Sequence, residues 1–140
     1  MPNIRPFHLA FPVKDIKATK KFYSEILGCN LGREASDWVD FNFFGHQISF
    51  HEIPGYHHIE PTNPVDGHNV PVPHFGIILT MPEWDDLVER LKPYNLTYMI
   101  RPYIRFKGQV GEQATMFFKD PNGISLEFKA FNSDTQIFAR

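Results

Sequence analysis

The sequence has one cysteine, Cys29, so no disulfide can form within the chain. Positive charge is not in excess, because 14 Lys and Arg residues are set against 16 Asp and Glu residues, whereas a protein that binds nucleic-acid phosphates carries a basic stripe. No apolar run approaches the roughly 18 residues of a membrane span, and the first residues lack the apolar centre of a signal peptide. These absences predict a cytoplasmic protein that binds neither nucleic acid nor membranes.

Apolar and aromatic residues are abundant. Hydrophobic residues make up 42% of the 140 positions, and 14 residues are phenylalanine. This is enough to bury one core, and we therefore expect a single domain over residues 1–140.

Two stretches of the chain share the same order of patterns. His8 opens the apolar run 7–13 and His74 opens the run 72–79, which places the two histidines 66 positions apart (74 − 8). Each run precedes an amphipathic helical pattern and then strands in which aromatic and polar residues alternate. Repetition at a fixed distance predicts one structural unit made twice.

The local signals define two βαβββ modules and an α+β fold. Asp15 and Gly28 bracket the first helix, and Pro82 and Glu83 open the second. Module 1 spans about 5–53, an aperiodic loop about 54–71, module 2 about 72–131, and a tail 132–140. We expect the modules to form a curved mixed sheet, whose open edges favour a homodimer.

The second half of each module also repeats. The run Ile48–His51 matches Ile124–Glu127 at an offset of 76 (127 − 51), which marks His51 and Glu127 as equivalent. If a pseudo-twofold axis relates the modules, His8, His51, His74 and Glu127 converge near it. The alternative is that the histidines are ordinary strand residues and that Glu127 forms a solvated ion pair.

The first of these arrangements would bind a metal. Two imidazoles and one carboxylate with open positions form the facial triad that suits Fe(II), and the same ligands accept Mn, Ni or Zn. His51 would then be either a fourth ligand or a proton acceptor and donor.

Several motifs resemble the vicinal oxygen chelate superfamily, which includes glyoxalase I, fosfomycin- and bleomycin-resistance proteins and extradiol dioxygenases. The motifs are His8 to Asp15 (HLAFPVKD), Phe22 to Gly28 (FYSEILG) and Phe118 to Phe128 (FKDPNGISLEF). The closest resemblance is to small single-domain extradiol-dioxygenase-like proteins. It implies a curved sheet around a metal-centred cavity, with His8, His74 and Glu127 as the metal ligands.

The resemblance implies a metal-dependent enzyme that cleaves the ring of a small catechol-like substrate, with Fe(II) as the metal and His51 and Tyr103 as catalytic candidates. Two alternatives stay open. One is a glyoxalase-like isomerase or lyase, or a thiol-transfer resistance enzyme. The glyoxalase alternative is weakened because glyoxalase I has a carboxylate at the position that His51 occupies in this chain. The other alternative is a non-catalytic small-molecule binding module.

Three cations surround the loop after the predicted strand 96–104. Arg101, Arg105 and Lys107 are interpreted as substrate-binding residues, because guanidinium groups suit bidentate contact with a carboxylate or phenolate. The alternative is a solvated basic loop.

Overall fold

The structure is a computed structural model that describes residues 4–65 and 67–140. The chain divides into two compact units, of which the first ends at His58 and the second begins at Ile59. Each unit contains a strand, a helix and three further strands in that order. The α+β class and the two βαβββ modules predicted from the sequence are therefore confirmed.

The first unit is a four-stranded sheet with one helix. Its strands pair in the order β1-β4-β3-β2, with β1 parallel to β4 and the other pairs antiparallel. A five-residue π-helical turn, Phe22–Ile26, continues the helix. The elements are β1 (His8–Val13), α1 (Ile16–Lys21), β2 (Asn30–Glu34), β3 (Trp38–Phe43) and β4 (His46–Glu52).

Side chains of this unit cap helix α1 and build an aromatic core. The carboxylate of Asp15 accepts a hydrogen bond from the amide of Ala18 and caps α1, as predicted. The ring centroid of Tyr23, which is fully buried, lies 4.5 Å from that of Phe50 and 5.8 Å from that of Phe41. The βαβββ plan requires strand β2, but no pattern in the sequence located it, because all five of its residues are exposed.

The second unit adds a hairpin to the same plan. Its main sheet has the order β7-β10-β9-β8, with β7 parallel to β10, and a separate two-stranded sheet pairs β5 with β6. The elements are β5 (Thr62–Val65), β6 (His68–Pro71), β7 (Ile78–Thr80), α2 (Met81–Leu91), β8 (Tyr98–Arg105), β9 (Gln113–Lys119), β10 (Ser125–Phe131) and a 3-10 turn (Asp134–Gln136).

Helix α2 begins and packs as its sequence predicts. Thr80 and Glu83 form a reciprocal capping box. The indole nitrogen of Trp84 donates a hydrogen bond of 3.0 Å to the carbonyl of Phe128, and thereby joins the apolar side of α2 to β10. None of the helices in the described part of the chain is long and apolar enough to cross a membrane.

Two predicted boundaries in the second unit are wrong. The interval 54–71 is not an unstructured loop, because β5 and β6 pair within it; residue 66 lies outside the described residues. The strand expected from residue 72 begins only at Ile78, and before it Phe75 forms a single bridge with Leu126. His74 therefore precedes the strand that it was expected to open.

The predicted equivalence of His51 and Glu127 is also wrong. Leu9, the residue after His8, pairs with Ile48, and Phe75, the residue after His74, pairs with Leu126. If His8 and His74 are equivalent, Ile48 corresponds to Leu126, and Ser49 therefore corresponds to Glu127. The error is a two-residue slip. Side chains alternate with a period of two along a strand, so such a slip preserves the apolar pattern and cannot be seen in the sequence.

Candidate functional site

Glu127 is the buried carboxylate at the centre of the second unit's sheet. Its side chain is only 5% exposed. On β10 it alternates with Leu126 and Phe128, both fully buried, so it lies on the face of the sheet opposite theirs. The hydroxyl of Thr115 on β9 donates a hydrogen bond of 2.7 Å to Oε2 of Glu127. This bond orients the carboxylate.

His74 contacts the other oxygen of the same carboxylate. Its Nε2 lies 3.3 Å from Oε1 of Glu127, and its side chain is 29% exposed. The other ring nitrogen, Nδ1, lies 2.7 Å from the carbonyl oxygen of Pro71, and the edge of the ring packs against Phe117. The imidazole is thus held by three neighbours and remains partly exposed.

The backbone brings these two residues together. The amide of Glu127 donates a hydrogen bond of 2.8 Å to the carbonyl of Phe75, the residue after His74. Gly76 passes so close that a Cβ atom there would lie 1.6 Å from the carbonyl oxygen of Glu127. Glycine at this position is therefore a steric requirement of the site.

Two cations flank the carboxylate. Nη1 of Arg105 lies 3.7 Å from Oε2 of Glu127, with the arginine side chain 8% exposed. Nζ of Lys129 lies 3.8 Å from Oε1, with the lysine side chain 34% exposed. Among the described residues, Nε of Arg105 has no hydrogen-bond partner although it is buried.

The pKa values of the His74 imidazole and the Glu127 carboxyl shift in opposite directions. The hydrogen bond to Glu127 raises the pKa of His74 above its usual value; burial opposes this rise, and the Pro71 carbonyl adds to it. Burial raises the pKa of Glu127, but the hydrogen bonds from His74 and Thr115 and the charge of Lys129 outweigh it, so the pKa lies below its usual value. Both shifts favour a charged pair.

The pair also fits a divalent metal ion. Metal–ligand bonds of about 2.0–2.2 Å place neighbouring ligand atoms roughly 3 Å apart, and the Nε2–Oε1 distance is 3.3 Å. A backbone carbonyl on the second ring nitrogen is the usual partner of a metal-binding histidine, because it fixes the tautomer that presents a lone pair at Nε2. The geometry of His74 and Glu127 is therefore compatible with two neighbouring ligand atoms of one metal ion.

The remaining predicted ligand and one catalytic candidate lie in the first unit. His8 and His51 are both exposed there. His8 on β1 pairs with Gln47 on β4, and His51 on β4 pairs with Pro12 on β1. Gln47 and His51 are four residues apart, so the two histidines are separated by about 13 Å along the strands. They cannot both bind one ion within this unit. Across residues 4–65 and 67–140, no group of three His, Cys, Asp or Glu side chains is arranged to hold a metal ion.

The predicted substrate-binding cations do not form one cluster. Arg105 faces Glu127, whereas the guanidinium of Arg101 lies 5.4 Å from the ring centre of Tyr98. Register shifts between Tyr98 and Tyr103 break the alternation of β8, so odd-numbered residues no longer share one face. Lys107 instead lines a cavity of about 120 Å³, together with Met81 and Asn132.

Tyr103, the catalytic candidate in the second unit, lies opposite a residue that contacts the Glu127 carboxylate. It is the cross-strand partner of Thr115, which bonds Glu127, and its ring centre lies 5.6 Å from that of His68 on β6. Tyr103 and the hairpin residue Val70 pack into one apolar cluster with Phe117 and Ile100. The hairpin therefore covers apolar side chains on the sheet face that carries the site.

Two members of the site were missed by the sequence interpretation. Thr115 carries no motif that predicts a bond to Glu127, because its position depends on the pairing of β9 with β10. Lys129 shares the face of Glu127 by strand periodicity, and that spacing was the available signal. Its proximity to the carboxylate was not predicted.

The sequence matches the Glyoxalase/Bleomycin resistance protein/Dioxygenase superfamily over residues 5–128. The chain belongs to this superfamily. A glyoxalase/bleomycin resistance protein/dioxygenase from Alicyclobacillus acidocaldarius is 30% identical, with 99% of this chain and 100% of that chain covered and a TM-score of 0.81. The superfamily resemblance inferred from the motifs is confirmed.

Two structures of lower sequence identity show the same fold. The fosfomycin resistance protein FosX from Listeria monocytogenes is 20% identical, with 98% of this chain and 99% of that chain covered and a TM-score of 0.69. An integron cassette protein from a Halifax Harbour sewage outfall is 22% identical, with 94% and 100% covered and a TM-score of 0.67. At these identities the likeness concerns the fold.

Proposed function

We propose that this protein is a divalent-metal-dependent enzyme that acts on a small molecule with two adjacent oxygen atoms. His74 and Glu127 would be metal ligands, with His8 as the third ligand that the motifs predict. The observation that carries the proposal is the His74–Glu127 pair, in which Nε2 and Oε1 lie 3.3 Å apart and the second ring nitrogen lies on a backbone carbonyl. When bound, the metal would act as a Lewis acid and a template for the substrate oxygens.

The residues around the pair have distinct tasks in this proposal. Thr115 and Arg105 hold Oε2 of Glu127, which leaves Oε1 directed at His74. The Pro71 carbonyl keeps the proton of a neutral His74 on Nδ1, so that Nε2 is free to bind. The cluster of Phe117, Ile100 and Val70 excludes water from one side of the site.

The finer proposal is ring-cleaving dioxygenation of a catechol-like substrate with Fe(II). Tyr103, beside Thr115, and His51 in the first unit are the proton donor and acceptor candidates that the sequence provides. Homodimerisation is a further expectation from the sequence, and light scattering of the purified protein tests it.

A redox-neutral reaction, such as isomerisation, lyase chemistry or thiol transfer, is the second candidate. The second unit contributes one imidazole and one carboxylate to the pair, a combination that Mn, Zn or Ni accepts as well as Fe(II). FosX is named a fosfomycin resistance protein, which makes fosfomycin a reasonable compound to test.

Elemental analysis of protein purified without oxygen, and without a histidine tag, tests the proposal. We expect about one metal ion per chain in the wild type and a large loss in His74→Ala and Glu127→Gln. His57→Ala, which removes an exposed histidine, is the matched control and should retain the metal. No metal in the wild type, even after reconstitution, would refute the proposal.

Oxygen uptake then separates the two candidate reactions. Iron-loaded protein that consumes oxygen with catechol, and loses this activity in His74→Ala, would support dioxygenation. Protein that binds Mn, Zn or Ni and leaves oxygen unchanged would support the redox-neutral reaction.

A further inference from the structure

Lys129 lies beside the one carboxylate oxygen that would bind the metal. Its Nζ is 3.8 Å from Oε1 of Glu127, and Oε1 is also the oxygen that faces Nε2 of His74. The lysine side chain is 34% exposed, whereas that of Glu127 is 5% exposed. The ammonium group therefore lies between the buried Glu127 carboxylate and the surrounding space.

The carboxylate has other polar partners besides this lysine. Arg105, which is buried, provides a positive charge on the Oε2 side, and Thr115 and His74 provide hydrogen-bond donors. A partly exposed ion pair at 3.8 Å contributes little to stability. Arg105 and Lys129 together bring two positive charges to one carboxylate. The site is therefore positive even before a metal ion binds.

We propose that Lys129 is a substrate-binding cation that makes this site select ligands with an ionised oxygen, such as a phenolate, carboxylate or phosphonate. The inference rests on the proposed function, since it concerns the ligand that binds next to His74 and Glu127. Lys129 repels a metal ion and attracts an anion, so its two effects have opposite signs. A residue that only supports the fold would change both affinities in the same direction.

The test compares Lys129→Met, Lys129→Arg and the control Lys20→Met. Lys20 belongs to the first unit and has a similar side-chain exposure of 28%, with an ion pair of 2.9 Å to Glu34. Calorimetric titration measures the affinity for Mn²⁺, and the affinity of the Mn²⁺-loaded protein for inorganic phosphate is measured in the same way. Urea denaturation of each variant verifies that it is folded.

We expect Lys129→Met to bind Mn²⁺ about three- to tenfold more tightly and phosphate about three- to tenfold more weakly, as for one partly screened charge at short range. Lys129→Arg keeps the charge and should retain both wild-type affinities within about twofold, as should Lys20→Met, because Lys20 forms its ion pair with Glu34 in the first unit. This opposite change, confined to Lys129→Met, would support the proposal.

Three results would overturn it. In the first, Mn²⁺ binds but Lys129→Met leaves both affinities unchanged. In the second, both affinities fall together, which is the sign of a structural role. In the third, Mn²⁺ binds the wild type and phosphate does not. If the wild type binds no metal, the proposed function fails first and this inference fails with it, so the two failures are distinguishable.

Discussion

Nε2 of His74 and Oε1 of Glu127 face each other at 3.3 Å, although the residues are 53 positions apart in the chain (127 − 74). The hydrogen bond from the Glu127 amide to the Phe75 carbonyl and the absence of a side chain at Gly76 make this approach feasible. The following predictions test the parts of this arrangement separately.

Replacing Thr115 with valine should weaken metal binding without removing a ligand. The change keeps the shape of the side chain but deletes the 2.7 Å hydrogen bond to Oε2 of Glu127. Loss of such an orienting bond costs about tenfold or more in metal affinity, which a Mn²⁺ titration measures. Ser49→Ala is the control, because Ser49 bonds Asp40 in the first unit. Equal affinities for Thr115→Val and wild type would contradict this role.

In metal-free protein, the His74–Glu127 pair should raise the free energy of unfolding most between about pH 4.5 and 6.5. These limits are the ordinary pKa values of Glu and His. The raised pKa of His74 contributes stability that is present below 6.5 and lost as the pH rises through the folded value. The lowered pKa of Glu127 contributes stability that is present above 4.5 and lost as the pH falls. Urea denaturation in chelator across pH measures the free energy of unfolding. For His74→Gln the decline above 6.5 should disappear; an unchanged decline would assign it to another group.

Replacing Gly76 with alanine should destabilise the second unit. The new Cβ would lie 1.6 Å from the Glu127 carbonyl oxygen, so the backbone beside the site must move. We expect a loss of about 3 kcal/mol in the free energy of unfolding, at the upper end for overpacking, and weaker metal binding. Gly32→Ala is the control, since its Cβ would meet its nearest neighbour at 3.3 Å. Equal losses in the two variants would show that the close approach is not the cause.

Replacing Glu60 with glutamine should loosen the β5–β6 hairpin. Glu60 accepts hydrogen bonds from Lys119 at 3.0 Å and from Ser125, and it fixes the chain just before β5 to the main sheet. Losing a charge-assisted bond should speed amide hydrogen exchange in β5 and β6 by about tenfold or more. Exchange in β9 should change little. The matched control is Glu34→Gln, which removes an exposed partner of Lys20. Unchanged exchange in the hairpin would exclude Glu60 as its anchor.

Local sequence signals determined the elements whose causes are themselves local. Asp15 and the Thr80–Glu83 box begin the helices, and the apolar and aromatic residues of β3, β4, β9 and β10 form strands that are largely buried. The superfamily motifs determined the fold class for the same reason, because they mark the helix end and the turn before β10. Glu127 lies within one of these motifs, and His74 was marked by its repeat relation to His8.

The tertiary structure alone decided the details that depend on register. A slip of two residues leaves the apolar pattern of a strand unchanged, so only the pairing of Phe75 with Leu126 showed that Ser49, and not His51, corresponds to Glu127. The irregular register of β8 likewise separates Arg101 from Arg105. Thr115 and Lys129 joined the site because strand pairing and side-chain direction bring distant polar groups together, and these depend on the folded chain rather than on neighbouring residues.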